Sequence, residues 1–154
     1  MAHLRRLSTV LFILALALAP LIGQAGEEAL TRYEICALIV SDFDLRLTEI
    51  STEFDDIPLG HSDEVAVYTL VERNIINGYP DGTFRGTEQL NRFQWAVIIS
   101  RLAESLDYQP SASRFAKPSD VSTEHWAFSH VTKYSHLILG WENASSEYRG
   151  SDPV

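Results

Sequence analysis

The sequence predicts a mainly α-helical protein, built from helix–loop–helix repeats packed as a small helical bundle. Three observations carry that expectation. Apolar residues recur at helical spacing in four segments, residues typical of helix N-caps stand at the start of two of them, and the segments echo one another along the chain.

The first 25 residues stand apart from this pattern. Arg5 and Arg6 precede an apolar run from about Val10 to Leu18, followed by Pro20 and the small-residue stretch Gly23-Gln24-Ala25. That order is a secretory signal peptide, cleaved after Ala25, with an uncleaved N-terminal anchor as the alternative. The run is short for a membrane span, so the protein is expected to be exported to the periplasm, envelope or cell surface, peripheral to a membrane at most. A lipoprotein needs a cysteine at the end of that run, and the one cysteine of the chain is Cys36.

Beyond Ala25 the chain has 10 Lys and Arg against 21 Asp and Glu. That balance argues against nucleic acid, which needs phosphate-neutralising cations. An anionic ligand would have to be met by a local basic site. A lone cysteine forms no internal disulfide, and Cys36 lies in an apolar helical run, which reads as a buried, inert thiol.

The first helix is expected over Thr31–Leu47, opened by Thr31 with Glu34 three residues on, a capping box. The second runs over Ser62–Arg73 on Val65, Val67, Leu70 and Val71, and the third over Asn91–Leu106 with Trp95 in its apolar face. The fourth, weaker, covers Glu124–Leu137. Pro- and Ser-rich residues between the third and fourth read as a connector.

The echoes are specific. Phe54-Asp55-Asp56-Ile57 precedes the second helix, and Phe115 to Asp120-Val121 precedes the fourth; His61 and His125 each follow five residues after the Asp. "NIINGY" (Asn74 to Tyr79) returns as "HLILGW" (His136 to Trp141), and Leu30-Thr31-Arg32-Tyr33-Glu34 returns as Leu90-Asn91-Arg92-Phe93-Gln94. Between them stands "GYPDGTFRG", Gly78 to Gly86, a turn in which Gly82 occupies a position that calls for positive φ.

These residues resemble the S-layer homology family, whose repeat reads Phe-x-Asp-Val, His-Trp-Ala, a helix, Gly-Tyr-Pro-Asp-Gly-Thr-Phe-Arg, then Thr-Arg-Ala-Glu opening a second helix. The likeness is nearest to segments of outer-membrane proteins in Deinococcus-like and cyanobacterial envelopes. It divides the chain into a leader (1–25), the back half of a repeat (26–50), a complete repeat (54–106), a linker (107–114) and the front half of a repeat (115–154). The two orphan halves are expected to dock as one split unit. The resemblance implies a non-enzymatic module with no cofactor or metal. It would attach to the cell wall by binding a secondary wall polysaccharide, pyruvylated in many members, or a peptidoglycan-linked polymer. The alternative is a structural module that completes its repeats with another protein of the family.

By the same resemblance the ligand residues are Arg32, Arg92, Gly78, Trp126, Asp56 and Asp120. A guanidinium in the first turn of a helix can grip a carboxylate in a bidentate pair while helix N–H groups add donors. The alternative for both arginines is an internal pair with Asp56, Asp81 or Asp120. Trp126 reads equally as a sugar-stacking surface or as core, and Gly78 as a close sugar approach or a backbone requirement. Ser62 stands where Trp126 does in the other unit, so the two cannot be alike. No catalytic pattern is present, and the acidic residues from Asp42 to Asp56 lack the order of a calcium loop and read as a solvated connector.

Overall fold

The computed structural model describes residues 30–47, 53–108, 118–134, 148 and 151. The expected leader, most of the linker and part of the last half-repeat lie outside them. The described residues form four helices and no named strand: α1 (Arg32–Asp42), α2 (Glu64–Glu72), α3 (Arg92–Ser105) and α4 (Phe128–Tyr134). None is long and apolar enough to cross a membrane. The chain divides into two compact units, one of Leu30–Leu90 and one containing everything described from Asn91 onward.

In the first unit α1 packs on α2. Ile35, Cys36 and Ile39, one stripe of α1, are buried with Val67 and Leu70 of α2. The capping box forms as expected: Glu34 N–H donates to Thr31 Oγ1 at 3.3 Å, and Thr31 N–H donates to Glu34 Oε2 at 2.8 Å. α1 ends five residues before the expected Leu47, because Asp44 turns left-handed (φ 47°) and Leu45 N–H closes back on the Val40 carbonyl at 3.1 Å. At the end of α2, Asn74 takes the same conformation (φ 56°), which Asn tolerates better than most side chains. The turn returns Ile75 and Ile76 to the core.

In the second unit α4 packs on α3. Trp95, Ile98, Ile99 and Leu102 of α3 are buried, as are Val131, Tyr134 and Tyr148, so Trp95 is core as expected. Asn91 and Gln94 reproduce the capping box without a charge, each donating a backbone N–H to the other's side-chain oxygen at 2.9 Å. α4 begins at Phe128 and not Glu124, because residues 122–128 close two successive turns, from His125 N–H to Ser122 O and from Phe128 N–H to His125 O.

The halves pair differently from the expected split. Within the first unit α1 takes the front half of the complete repeat as its partner, where the sequence reading paired it with the C-terminal half. Within the second, the described residues of that C-terminal half share a unit with α3, on which α4 packs. The break between units falls at Leu90–Asn91, inside the sequence repeat.

Candidate functional site

The start of α1 is closed off by the chain that precedes α3. Arg32 N–H donates to Glu88 O and Tyr33 N–H to Gly86 O, both at 2.9 Å; Thr31 bridges Gln89, and Leu90 N–H reaches Leu30 O at 3.3 Å. With Glu34 capped by Thr31 and Ile35 bonded to Thr31 O, the N–H groups of the first turn all have internal acceptors. Arg32 itself is 5% exposed. Its Nε donates to Phe84 O at 2.8 Å and its Nη2 to Asn77 O at 2.7 Å, and its guanidinium lies 4.4 Å from the centroid of the Phe84 ring. Burial lowers its pKa from the ordinary arginine value, yet two carbonyls and an aromatic face keep the cation in place. Neither expected geometry, a carboxylate pair or an open anion grip, is found at Arg32.

Asp56 has a different role from the one its charge suggests. Its Oδ1 accepts Phe84 N–H at 2.7 Å and its Oδ2 accepts Arg85 N–H at 2.6 Å, which pins the loop to the Phe-Asp-Asp turn. Arg85, left-handed at φ 57°, bonds Asp81 at 2.6 Å and lies 4.0 Å from the Tyr79 ring centroid, clamping the turn whose Gly82 has φ 84°. Hydrogen bonds from Thr83 first, then Arg85, hold the Asp81 carboxyl down to about 2. Gly78 is required for space: a Cβ there would overlap the Phe54 ring and sit 2.8 Å from Thr83 O. Beside it opens a groove of about 410 Å³ between Phe54, the end of α2 at Val71 and Glu72, and the loop residues Asn74, Asn77 and Tyr79.

In the second unit Asp120 repeats the action of Asp56, accepting Tyr148 N–H at 2.6 Å. The Tyr148 hydroxyl donates to Arg92 O at 2.6 Å, and the Arg92 guanidinium lies 5.0 Å from that ring's centroid. Arg92 is only half-buried, and its Nε, itself buried, has no hydrogen-bond partner. Trp126 is 59% exposed, which removes the core reading for it; one side leans on Phe93, with centroids 6.1 Å apart, and on His125 at 5.4 Å. No group of His, Cys, Asp and Glu among the described residues is placed to hold a metal ion.

Residues 53–96 match the family model described as the S-layer homology domain. The chain carries an S-layer homology domain. Similar segments occur in the outer membrane protein SlpA of Deinococcus radiodurans, 51% identical over 51 residues, or 33% of this chain and 4% of that protein. SlpA of Thermus thermophilus is 47% identical over 55 residues, 36% of this chain and 6% of that one. A cellulosome-anchoring protein of Acetivibrio thermocellus is 31% identical over 86 residues, 56% of this chain and 18% of the relative. The chain thus spans less than a fifth of the length of these curated relatives. No solved structure matches it.

The S-layer homology domain ends within α3, so its last residues belong to the second unit while its loop supports α1. Sequence reasoning missed two parts of this arrangement. Tyr148 stands in the place of Phe84, a match visible in Tyr148-Arg149-Gly150 beside Phe84-Arg85-Gly86. The histidines after each Asp turn stack on the aromatic of the facing helix start, His61 on Tyr33 at 4.6 Å and His125 on Phe93 at 4.2 Å. Each also accepts at Nδ1 the backbone N–H two residues on, at 3.2 Å. The matched five-residue interval after Asp56 and Asp120 was the signal for that pair.

Proposed function

We propose that this chain is a non-enzymatic module of the cell envelope that holds a cell-wall polysaccharide or a peptidoglycan-linked polymer without a covalent bond. The observation that carries the reading is the S-layer homology domain at residues 53–96, supported by the 31% identity to a cellulosome-anchoring protein over 86 residues. Trp126 adds a physical reason. An indole with most of its surface in water, backed by two rings, offers a flat apolar face to the C–H surface of a sugar. An acidic substituent such as a pyruvate ketal falls to Arg92, whose buried Nε lacks an acceptor, and not to Arg32, whose guanidinium is already bonded to two carbonyls.

Sedimentation of the purified chain with cell walls, before and after extraction of the secondary polymer, tests the reading. Binding should depend on the polymer, and Trp126→Ala should weaken it by about 3- to 10-fold, the range of one aromatic contact. Undiminished binding to extracted walls stripped of peptidoglycan-linked polymer refutes it. A second reading, a module that completes its repeats with another S-layer homology protein, is favoured by Leu59 and Val65, which are 97% and 56% exposed near the start of α2. Sedimentation velocity tests the case in which that protein is a second copy of this chain: a monomer at the concentrations that bind wall excludes self-completion.

A further inference from the structure

We propose that the Ser100–His130 pair is an acid-sensitive latch, which holds α4 on α3 while the imidazole is neutral and releases it when the ring is protonated. The two residues meet across the helix pair: Ser100 Oγ, on α3, lies against Nδ1 of His130 on α4. Ser100 is fully buried and His130 half-buried. The single hydrogen of the Ser100 hydroxyl goes to Val97 O at 3.0 Å, which assigns Nδ1 as the donor of the pair and leaves Nε2 to take up the proton in acid. The bond survives protonation, and what changes is the charge held between the helices.

That charge is poorly met. The charged groups facing the ring are Arg101 and Glu104 from α3 and Lys133 from α4 itself. Glu104, the carboxylate among them, is already shared between Lys133 Nζ at 3.3 Å and the Tyr134 hydroxyl at 3.2 Å. Burial first, then Arg101, push the His130 pKa below the ordinary histidine value; Glu104 opposes them and Lys133 adds to them. An undocked imidazole therefore binds a proton more readily than the docked one. Docking of α4 is at full strength above the ordinary histidine range and weakens as pH falls through it. With seven residues α4 is too short to persist as a helix without a partner, and its buried anchors are Val131 and Tyr134. Trp126 stands two residues ahead of α4 and leans on Phe93 of α3 with ring centroids 6.1 Å apart, so release of α4 also frees the indole. In the register that matches Arg32 with Arg92 and Asp56 with Asp120, the first unit has Val40 and Ala66 in place of Ser100 and His130. The latch belongs to the second unit, and the first serves as its internal control.

The test is amide hydrogen exchange by NMR on the full chain at about pH 7.5 and about pH 5.5, corrected for the intrinsic pH dependence of exchange. Opening at Val131 and Tyr134 should rise about threefold or more on acidification relative to the amides of α1. His130→Asn keeps a hydrogen-bonding group near the Nδ1 position and cannot titrate. It should remove that rise while leaving exchange at the higher pH within about twofold of the unaltered chain. Arg101→Gln should raise the titration midpoint of the His130 ring signal and shrink the rise. Exchange in α4 that does not respond to pH overturns the proposal. So does an undiminished rise in His130→Asn, which would assign the acid response to another histidine such as His125, stacked on Phe93. A His130 midpoint at or above the ordinary histidine value overturns it equally.

Discussion

Replacing Arg32 by Ala removes a buried cation that joins three parts of the first unit. The side chain leaves α1, crosses to Phe84 O at 2.8 Å and Asn77 O at 2.7 Å, and covers the Phe84 ring. Hydrogen bonds to a charged group are worth about 1.5–3 kcal/mol each, and a cation–π contact of this kind about 1 kcal/mol. Opposing them is the cost of burying a guanidinium, which the lowered pKa records and which the variant no longer bears. The carbonyls of Phe84 and Asn77 would, however, lose their donors, the Phe84 one in a buried position. The balance resembles the removal of one partner from a buried polar pair, and we expect a loss of about 3 kcal/mol. For a unit of this size that lowers the melting midpoint by roughly 12–24 °C. Thermal unfolding followed by far-ultraviolet circular dichroism reads it directly. Arg92→Ala, at a half-buried residue with an aromatic contact to Tyr148, should cost about 1 kcal/mol. An Arg32→Ala protein that melts within a few degrees of the unaltered chain but no longer binds wall would refute this reasoning and return Arg32 to the ligand.

Gly78→Ala should destabilise by about 1–3 kcal/mol in urea unfolding, since its methyl group overlaps Phe54 and crowds Thr83 O. Cys36, fully buried with its thiol pushed up to about 12 by desolvation, should resist alkylation at pH 8 in the folded chain and react once denaturant is added, as mass spectrometry will show. Asp81 should titrate near 2 by carboxyl NMR: its folded pKa lies below the unfolded one, so its contribution to the turn is present above the ordinary aspartate range and disappears as pH falls through about 2. Asp56→Asn, which weakens the acceptors of Phe84 N–H and Arg85 N–H, should cost about 1–3 kcal/mol by the same unfolding assay.

Much of the fold was legible because its signals are local. A capping box uses residues three apart, and both Thr31–Glu34 and Asn91–Gln94 close as their spacing requires. The demand for positive φ at Gly82 follows from the turn it ends, and the stripe of Ile35, Cys36 and Ile39 follows from helical period. The early end of α1 was not legible, because Asp tolerates the left-handed conformation of Asp44 better than most side chains but does not demand it. The candidate site was legible in residue type, while the internal bonds of its side chains were not. Asp56 and Asp120, ligand residues by the resemblance, accept backbone N–H groups far along the chain, those of Phe84 and Arg85 in one case and that of Tyr148 in the other.

By itself, then, the sequence determined the helices, the turn at Gly78–Gly86 and membership of residues 53–96 in a family, since each depends on neighbours along the chain or on a linear motif. Tertiary structure alone decided which halves share a core, what Arg32 binds and whether Trp126 faces water. Helix faces of similar composition are interchangeable in sequence, so only packing selects the partner of α1. Every residue carries a carbonyl, so Phe84 O and Asn77 O leave no mark in the sequence as acceptors for an arginine. An indole is apolar enough for a core and polar enough for a surface, and its place is set by what surrounds it.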